Sequence, residues 1–204
     1  MKLDVPVIGI LRGVAPDFFG QLMMSAFAAG LQAMEVTFNT LSAIEMVRTH
    51  RTRVPAGKWL GMGTIRNLEE ARKAVAAGAM FLVTPNVDPS VIRYAVSHGV
   101  PVIAGGLTPT EVYAAWSAGA TMVKVFPCGG PHGPRYISDL RGPYDQIPLV
   151  AVGGITAENV NSYFEAGAAA VGVGATLFGK QALADHSPDA AGEHVRRFLK
   201  ILSS

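Results

Sequence analysis

Lys124 is a charged residue inside an otherwise apolar stretch, Thr121-Met122-Val123-Lys124-Val125-Phe126-Pro127. The β-branched composition of this run, bounded by Gly119 and Pro127, predicts a short buried strand. Burying an ammonium group is unfavourable, so a buried lysine has a charge partner or a lowered pKa. A neutral lysine amine can attack a ketone and form a Schiff base. The alternative is a strand-end lysine that extends its charge into solvent.

Glu35 is the second candidate, within a predicted strand at residues 33–38. Side chains alternate along a strand, so Glu35 shares a face with Thr37, and Lys124 shares one with Phe126. If both faces point inward, a carboxylate and an amine converge, and the carboxyl group can move protons for imine chemistry. The alternative is a buried ion pair that only fixes the strands.

A repeated pattern predicts the fold that positions these residues. Helix-like segments ending in glycine precede apolar runs at Gly30, Gly78, Gly99, Gly119 and Gly167. Each gap between them corresponds to one or two repeats, and one repeat is roughly 20 to 24 residues long. Glycine commonly closes a helix because it adopts left-handed backbone conformations readily. Each unit is therefore predicted to be one strand followed by one helix.

Filling the double gaps gives eight short apolar strands, as in a parallel sheet covered on both faces. They are predicted at residues 7–11, 33–38, 59–62, 81–83, 102–104, 122–126, 149–152 and 170–173. Thr108-Pro109-Thr110-Glu111 is a capping box, and Asn67, Asp88 and Thr156 occupy similar helix-start positions. We expect the α/β class with a single (β/α)8 TIM barrel over residues 1–204, closed by a helix near 190–202. A doubly wound open sheet is the alternative.

Composition excludes several classes of protein. Of the 204 residues, 50% are hydrophobic and 16% are charged, and the net charge is +2. This charge is too small to indicate nucleic acid or a membrane surface as a partner. A lone cysteine, Cys128, cannot form an internal disulfide, and no apolar run reaches the length of a membrane span. We expect a soluble cytoplasmic protein without a targeting segment.

In a (β/α)8 barrel, functional side chains lie at the carboxyl ends of the strands. Arg12, Glu35, Thr64 and Lys124 fall at such ends. We interpret Arg12 as a ligand for a carboxylate or phosphate, or as a surface ion-pair residue. The five histidines show no ligand spacing, so no metal site is expected. His132, in the loop after strand 6, is a weak candidate for substrate contact.

Two glycine turns follow strands 7 and 8, at residues 152–156 and 172–176. Glycines let a backbone approach a ligand closely, and helix N-termini direct N–H groups at anions. The loops after strands 7 and 8 commonly bind phosphate in such barrels. We predict a phosphate site at Gly153, Gly154 and Gly174, with tight turns lacking a ligand as the alternative.

Several motifs spread along the chain give it a resemblance to a known family. It resembles the class I, Schiff-base aldolases that cleave 2-keto-3-deoxy-6-phosphogluconate or its 6-phosphogalactonate epimer. The matching stretches are Ile10-Leu11-Arg12-Gly13, Glu35-Val36-Thr37, Gly61-Met62-Gly63-Thr64, Thr84-Pro85-Asn86, Thr108-Pro109-Thr110-Glu111, Lys124-Val125-Phe126-Pro127 and Val152-Gly153-Gly154-Ile155. The resemblance implies a homotrimer whose small-molecule substrates are a keto-deoxy sugar acid phosphate and pyruvate, and which needs neither metal nor organic cofactor.

The resemblance also implies roles for individual residues. Lys124 is similar to the family's Schiff-base lysine, and Glu35 to its general acid and base. Thr64 and Pro85 match positions at the pyruvate end, and Phe126 matches the residue packed beside the imine. Gly153 and Gly154 match the phosphate-binding turn.

The chain departs from the gluconate-type pattern at two positions. Asn39 stands where gluconate-type members commonly carry arginine. The asparagine at this position is similar to the galactonate-type branch. Ala175 stands where a serine often meets phosphate, so backbone N–H groups and Thr176 would hold it. Stereochemical preference at C4 would depend on groups around Thr37 and Asn39. Because Ala175 lacks the serine hydroxyl, a small unphosphorylated substrate, 4-hydroxy-2-oxoglutarate, also stays open.

Two further functions remain open from the residues alone. A phosphosugar epimerase or isomerase would use Glu35 as a base and Lys124 as an electrostatic anchor, with no covalent intermediate. A non-catalytic barrel would bind a phosphorylated metabolite without turnover.

Overall fold

Eight parallel strands close into a barrel in sequence order in the computed structural model, which describes residues 1–129 and 133–202. The strands are β1 (Val7–Leu11), β2 (Ala33–Thr37), β3 (Trp59–Gly63), β4 (Leu82–Val83), β5 (Val102–Gly106), β6 (Met122–Val125), β7 (Leu149–Val152) and β8 (Ala170–Val173). The predicted (β/α)8 barrel is confirmed, and the doubly wound sheet is excluded because β1 pairs with both β2 and β8.

Helices alternate with the strands and cover the outside of the barrel. They are α1 (Pro16–Ala28), α2 (Ala43–His50), α3 (Leu68–Ala76), α4 (Pro89–Ser97), α5 (Pro109–Ser117), α6 (Gly133–Arg141), α7 (Val160–Glu165), α8 (Ala175–Phe178), α9 (Lys180–Ala184) and α10 (Pro188–Ile201). Three helices follow β8, and the last begins slightly earlier than predicted. Within the two described ranges, no helix combines the length and apolar composition needed to cross a membrane.

The five glycines of the repeat all have positive φ angles, between 67° and 109°. They follow the C-termini of α1, α3, α4, α5 and α7, as the repeat predicted. Each lies in the left-handed region, where a side chain would strain the backbone. These glycines therefore end the helices and return the chain to the next strand.

Helix starts follow the predicted capping residues with one exception. Thr108 and Glu111 form the reciprocal capping box of α5, and Asn67 and Asp88 accept backbone N–H bonds at α3 and α4. The prediction for Thr156 is wrong, since α7 begins only at Val160. The Thr156 N–H instead donates to Asn159 Oδ1 at 2.8 Å, which holds a turn before the helix.

Two apolar layers hold the barrel. The larger layer lies between strands and helices, while a smaller cluster fills the barrel interior, including Phe81, Ile103 and Val150. Ile8, Val83, Ile103 and Val150 border the same small internal void as Glu35 and Lys124. The two charged side chains therefore rest on an apolar floor, with the loops at the carboxyl ends of the strands above them.

Candidate active site

Glu35 and Lys124 line one cavity of about 430 Å³ at the carboxyl ends of the strands. Glu35 is 2% exposed and Lys124 is 8% exposed. Glu35 comes from β2 and Lys124 from β6, so strands on opposite sides of the closed barrel direct them into the same space. The inward orientation expected from strand alternation is thus observed for this pair.

Glycines on strands beside Glu35 and Lys124 allow close packing around the site. Gly63 lies on β3, and a Cβ there would fall 2.2 Å from Oε1 of Glu35. Gly105 pairs with Lys124 in register, and a Cβ there would fall 2.6 Å from the carbonyl oxygen of Thr84. At Gly63 a Cβ would force the end of the Glu35 side chain to move, whereas at Gly105 it would meet backbone, so the β4–β5 contact requires glycine.

The buried environment shifts both ionisations toward the neutral forms. Burial raises the pKa of Glu35 to about 7, although the charges of Lys124 and Arg12 oppose this shift. Burial likewise lowers the pKa of Lys124; the Glu35 carboxylate opposes this effect and Arg12 reinforces it. The Oε2 atom of Glu35 is buried without a hydrogen-bond partner. A carboxyl group that titrates near neutrality beside an amine of lowered pKa is suited to proton transfer during imine chemistry.

Arg12 reaches over the cavity from the end of β1. Its Nη1 donates to Asn39 Oδ1 at 2.9 Å, and its Nη2 donates to Thr64 Oγ1 at 3.2 Å. Thr64 has φ 58°, an unusual left-handed conformation for a β-branched residue, which places strain beside the cavity. Both hydrogen-bond partners of Arg12 are uncharged, so its charge is left to act on Glu35, Lys124 and any bound anion.

Phe126 and Pro85 form the apolar wall beside the lysine. The Lys124 Nζ lies 4.7 Å from the centre of the Phe126 ring, within the range of a cation–π contact. Phe126 is 40% exposed, and its backbone N–H donates to the carbonyl of Gly106 at 3.3 Å. The ring therefore lies at the cavity mouth rather than in the core.

The two glycine turns border another part of the cavity, and the turn after β7 lies beside the Phe126 ring. Gly153 and Gly154 have φ angles of 106° and 72°, and they line the cavity together with Gly174 and Thr176. The turn after β8 leads into a helix at Ala175. The turn after β7 was predicted to lead straight into a helix, but α7 begins only at Val160. Its anion-binding capacity therefore depends on backbone N–H groups of the turn itself.

The chain also has clear relatives among known proteins. The family model for KDPG and KHG aldolases matches residues 4–192. The chain belongs to this family. It is 32% identical over 201 residues to the 2-dehydro-3-deoxy-6-phosphogalactonate aldolase of Escherichia coli (strain K12), covering 98% of this chain and 95% of that protein.

Other relatives agree with this assignment. The 2-dehydro-3-deoxy-phosphogluconate aldolase of Treponema pallidum (strain Nichols) is 38% identical over 142 residues, covering 70% of this chain and 67% of that protein. A solved structure described as native KDPGal superposes with a TM-score of 0.92 at 31% identity and covers 100% of this chain and 97% of that one.

Not every predicted site residue of this aldolase-family chain borders the cavity that holds Lys124. Thr37 is fully buried and shares a 2.9 Å hydrogen bond with Thr40, and Asn39 reaches the site only through Arg12. Ala175 lines a neighbouring cavity instead. His132 lies outside the described residues.

Sequence reasoning did not assign several lining residues individually, although all but Ile10 lie in the two predicted glycine turns. Ile10, Val152, Ile155, Thr156 and Gly172 also border the cavity. Ile10 is one residue from the end of β1 and Val152 is the last residue of β7, so alternation along these strands could have identified them. Choosing which alternating set faces the cavity also requires the pairing register of the strands, because a shift by one residue turns every side chain to the other face of the sheet.

Candidate metal ligands are not gathered near this site. Within residues 1–129 and 133–202, no three His, Cys, Asp or Glu side chains lie close enough to hold a metal ion together. Cys128 is buried beyond β6, where burial raises the pKa of its thiol to about 11.

Proposed function

We propose that this chain is a class I aldolase that reversibly cleaves 2-dehydro-3-deoxy-6-phosphogluconate or its 6-phosphogalactonate epimer. The products are pyruvate and D-glyceraldehyde 3-phosphate. The observation that carries the proposal is the buried Glu35–Lys124 pair on one cavity, with both pKa values displaced toward the neutral forms. Membership of the aldolase family and the names of the relatives support the same reaction.

Lys124 is the proposed nucleophile. Its neutral amine attacks the C2 ketone of the substrate, and loss of water from the carbinolamine gives a protonated imine. The imine then accepts the electron pair of the C3–C4 bond as that bond breaks, which leaves an enamine of pyruvate. Burial favours the neutral amine needed for the first step, and the Phe126 ring beside Nζ favours the cationic imine.

Glu35 is the proposed proton carrier. It assists the departure of water from the carbinolamine and then takes the C4 hydroxyl proton as the C3–C4 bond breaks. D-Glyceraldehyde 3-phosphate leaves, C3 of the enamine is protonated, and water releases pyruvate from Lys124. A pKa of about 7 lets one carboxyl group donate and accept protons in the same cycle.

The ends of the substrate are assigned to opposite sides of the cavity. Arg12, Thr64 and Pro85 are proposed to hold the pyruvate end, whose carboxylate suits a guanidinium. Gly153, Gly154, Gly174, Ala175 and Thr176 are proposed to hold the phosphate, chiefly through backbone N–H groups. Thr37 and Asn39 are proposed to influence C4 selectivity indirectly, through Thr40 and Arg12.

One observation favours a second candidate substrate, 4-hydroxy-2-oxoglutarate. The only polar side chains that the glycine turns contribute to the cavity lining are those of Thr156 and Thr176, and neither is cationic. A substrate without phosphate would need no more than this. Comparing the three substrates under the same conditions decides which one the cavity accepts best.

The assembly and location are also part of the proposal. We infer a homotrimer in the cytoplasm, with residues 1–204 forming one aldolase domain. Leu107, Tyr113 and Trp116 leave apolar surface exposed around α5, which supports association of chains. Sedimentation equilibrium should give a mass three times the 21.4 kDa of one chain; a mass equal to one chain would contradict the trimer.

A turnover assay tests the proposed function. Purified protein is supplied with each 6-phosphorylated epimer, and pyruvate release is followed with lactate dehydrogenase. We expect release by the native chain and none above background by Lys124→Ala. An exposed lysine changed in the same way, Lys180→Ala, serves as the matched control. Isomerisation of a phosphosugar without pyruvate release would support the epimerase alternative, and binding without turnover would support the non-catalytic one.

A further inference from the structure

The loop after β6 and the glycine turn after β7 touch through their backbones. The Cys128 N–H donates to the carbonyl of Val152 at 2.9 Å. A Cβ placed on Gly129 would fall 3.2 Å from the carbonyl oxygen of Gly153, and one placed on Gly154 would fall 2.9 Å from the Cα of Gly129. Because no side chain separates the two segments here, a shift of the loop must move the turn as well.

Tyr163 fixes this loop from the helix layer. Its side chain comes from α7 and is 1% exposed, and its hydroxyl donates to the carbonyl of Cys128 at 2.6 Å. A Cβ on Gly133, at the start of α6, would overlap both the hydroxyl and this carbonyl, so the bond depends on glycine at that position. A phenylalanine at residue 163 could fill the same buried space, but it could not make the bond.

The Cys128 peptide joins α7 to the glycine turn. Its carbonyl accepts from Tyr163, and its N–H donates to Val152, the last residue of β7. At the other end of the turn, the side-chain amide of Asn159 donates to the carbonyl of Gly154 at 2.9 Å. Asn159 therefore acts within the β7–α7 connection, whereas Tyr163 acts across the gap between that connection and the loop after β6.

This contact bears on the distance between two parts of the cavity. The centre of the Phe126 ring lies 4.7 Å from Lys124 Nζ, and a Cβ on Gly153 would fall 3.6 Å from Cδ2 of the same ring. The segment from Lys124 to Gly129 thus connects the amine with the turn that is proposed to bind phosphate. A phosphorylated substrate must occupy both places at once, whereas pyruvate occupies only the place beside the amine.

We propose that Tyr163 is a positioning residue for the phosphate end of the substrate. The inference rests on the proposed aldolase function and deepens it. The hydroxyl of Tyr163 holds the loop after β6 against the glycine turn, so the backbone N–H groups of the turn keep a fixed distance from Lys124. Without this bond the loop and the turn can shift together, and small misplacements of a binding group are costly. Lys124 itself keeps its place, because it lies within β6 and pairs in register with Val150.

The test measures the two parts of the cavity separately. The KM for the preferred 6-phosphorylated epimer depends on both, whereas the pyruvate concentration for half-maximal borohydride trapping depends only on the part beside Lys124. In Tyr163→Phe we expect the KM to rise by at least about fivefold, the factor that loss of one hydrogen bond provides, and the pyruvate concentration to stay within about twofold of native. Tyr136→Phe is the matched control and should leave both values unchanged. The hydroxyl of Tyr136 also donates to a backbone carbonyl, but to that of Leu107 after β5.

A second variant disturbs the same contact without changing α7. In Gly129→Ala the added methyl group would press against the carbonyl of Gly153, so the turn must move. The KM for the phosphorylated epimer should again rise while pyruvate trapping is retained. Gly142→Ala is the control for this variant, because its Cβ would meet only Asp139 at an ordinary distance.

The outcomes separate this inference from the proposed function. A smaller rise in KM than expected for Tyr163→Phe, or an unchanged KM in Gly129→Ala, would overturn the role of Tyr163. An equal loss in KM and in pyruvate trapping would also overturn it, because the bond would then support the fold as a whole. Failure of the native chain to cleave either phosphorylated epimer would instead contradict the aldolase proposal itself.

Discussion

The Nη1 atom of Arg12 donates a 2.9 Å hydrogen bond to Oδ1 of Asn39 at the mouth of the barrel. This bond joins the end of β1 to the loop after β2 and holds a positive charge above two buried titratable groups. Arg12 lowers the pKa of Glu35 and also lowers the pKa of Lys124. A single surface residue therefore influences both ionisations that the proposed mechanism uses.

Removing this charge should move the pH dependence of catalysis. In Arg12→Gln the pKa values of Glu35 and Lys124 should both rise, because the same positive charge lowers both in the native protein. Both limbs of the kcat/KM profile are expected to shift to higher pH. Arg197→Gln, an exposed arginine on α10, should leave the profile in place. A profile that loses height but keeps its position would mean that Arg12 acts only in binding.

Glu35 should be needed for turnover rather than for the fold. We expect Glu35→Gln to lower kcat by about 100-fold or more, because the amide cannot carry the C4 hydroxyl proton. Steady-state kinetics with the phosphorylated substrate provides the measurement, and circular dichroism checks that the barrel is retained. A kcat within tenfold of native would argue for another proton carrier.

Glu35 should also make stability depend on pH. Its pKa is about 7 in the folded chain against 4.5 for the ordinary value, so the folded state binds this proton more tightly. The contribution of Glu35 to the free energy of unfolding is then fully present below pH 4.5. It is lost as the pH rises through 7, and the loss amounts to up to about 3 kcal/mol. Urea unfolding at pH 5 and pH 8 should show a steeper loss for the native chain than for Glu35→Gln. Equal losses would contradict the raised pKa.

Gly63 should be required for the position of the carboxylate. A Cβ at this residue would lie 2.2 Å from Glu35 Oε1, so Gly63→Ala must displace the carboxyl group. We expect a fall in kcat of about tenfold or more, since small misplacements of a catalytic group are costly. Gly142→Ala is the control, because its Cβ would meet only Asp139 at an ordinary 3.4 Å. Native kcat in Gly63→Ala would show that the carboxylate can move without consequence.

Cys128 should be chemically inert in the folded protein. Its thiol is 2% exposed and burial raises its pKa to about 11, so little thiolate is present at neutral pH. Iodoacetamide at pH 7.5 should leave mass and activity unchanged, and the thiol should react after unfolding in urea. Rapid modification of the folded chain would contradict this prediction.

The barrel could be predicted from sequence because its local signals agree. Glycines such as Gly78 and Gly119 end helices for a conformational reason that needs no tertiary information. The strands are continuous apolar runs, and most predicted strand ends lie within two residues of those observed. Thr156 failed as a helix start because the Asn159 side chain holds an intervening turn, a contact that short motifs do not reveal.

The site was only partly predictable. Lys124 and Glu35 stood out because charge is rare inside strands, and the structure brings them to one cavity. The Arg12–Asn39 bond and the orientation of Ala175 depend on loop geometry, which composition and spacing do not specify. The individual roles of these residues stay predictions until they are tested.

Trapping of the imine tests the central claim most directly. The protein is treated with pyruvate and borohydride, and the intact mass is compared among native, Lys124→Ala and Lys58→Arg chains. Lys58 is the matched control because its pKa is also lowered, yet its Nζ bonds to the carbonyl of Leu31. We predict one reduced pyruvate adduct in the native and Lys58→Arg chains and none in Lys124→Ala. An equal adduct in Lys124→Ala, or no adduct in any chain, would contradict the mechanism.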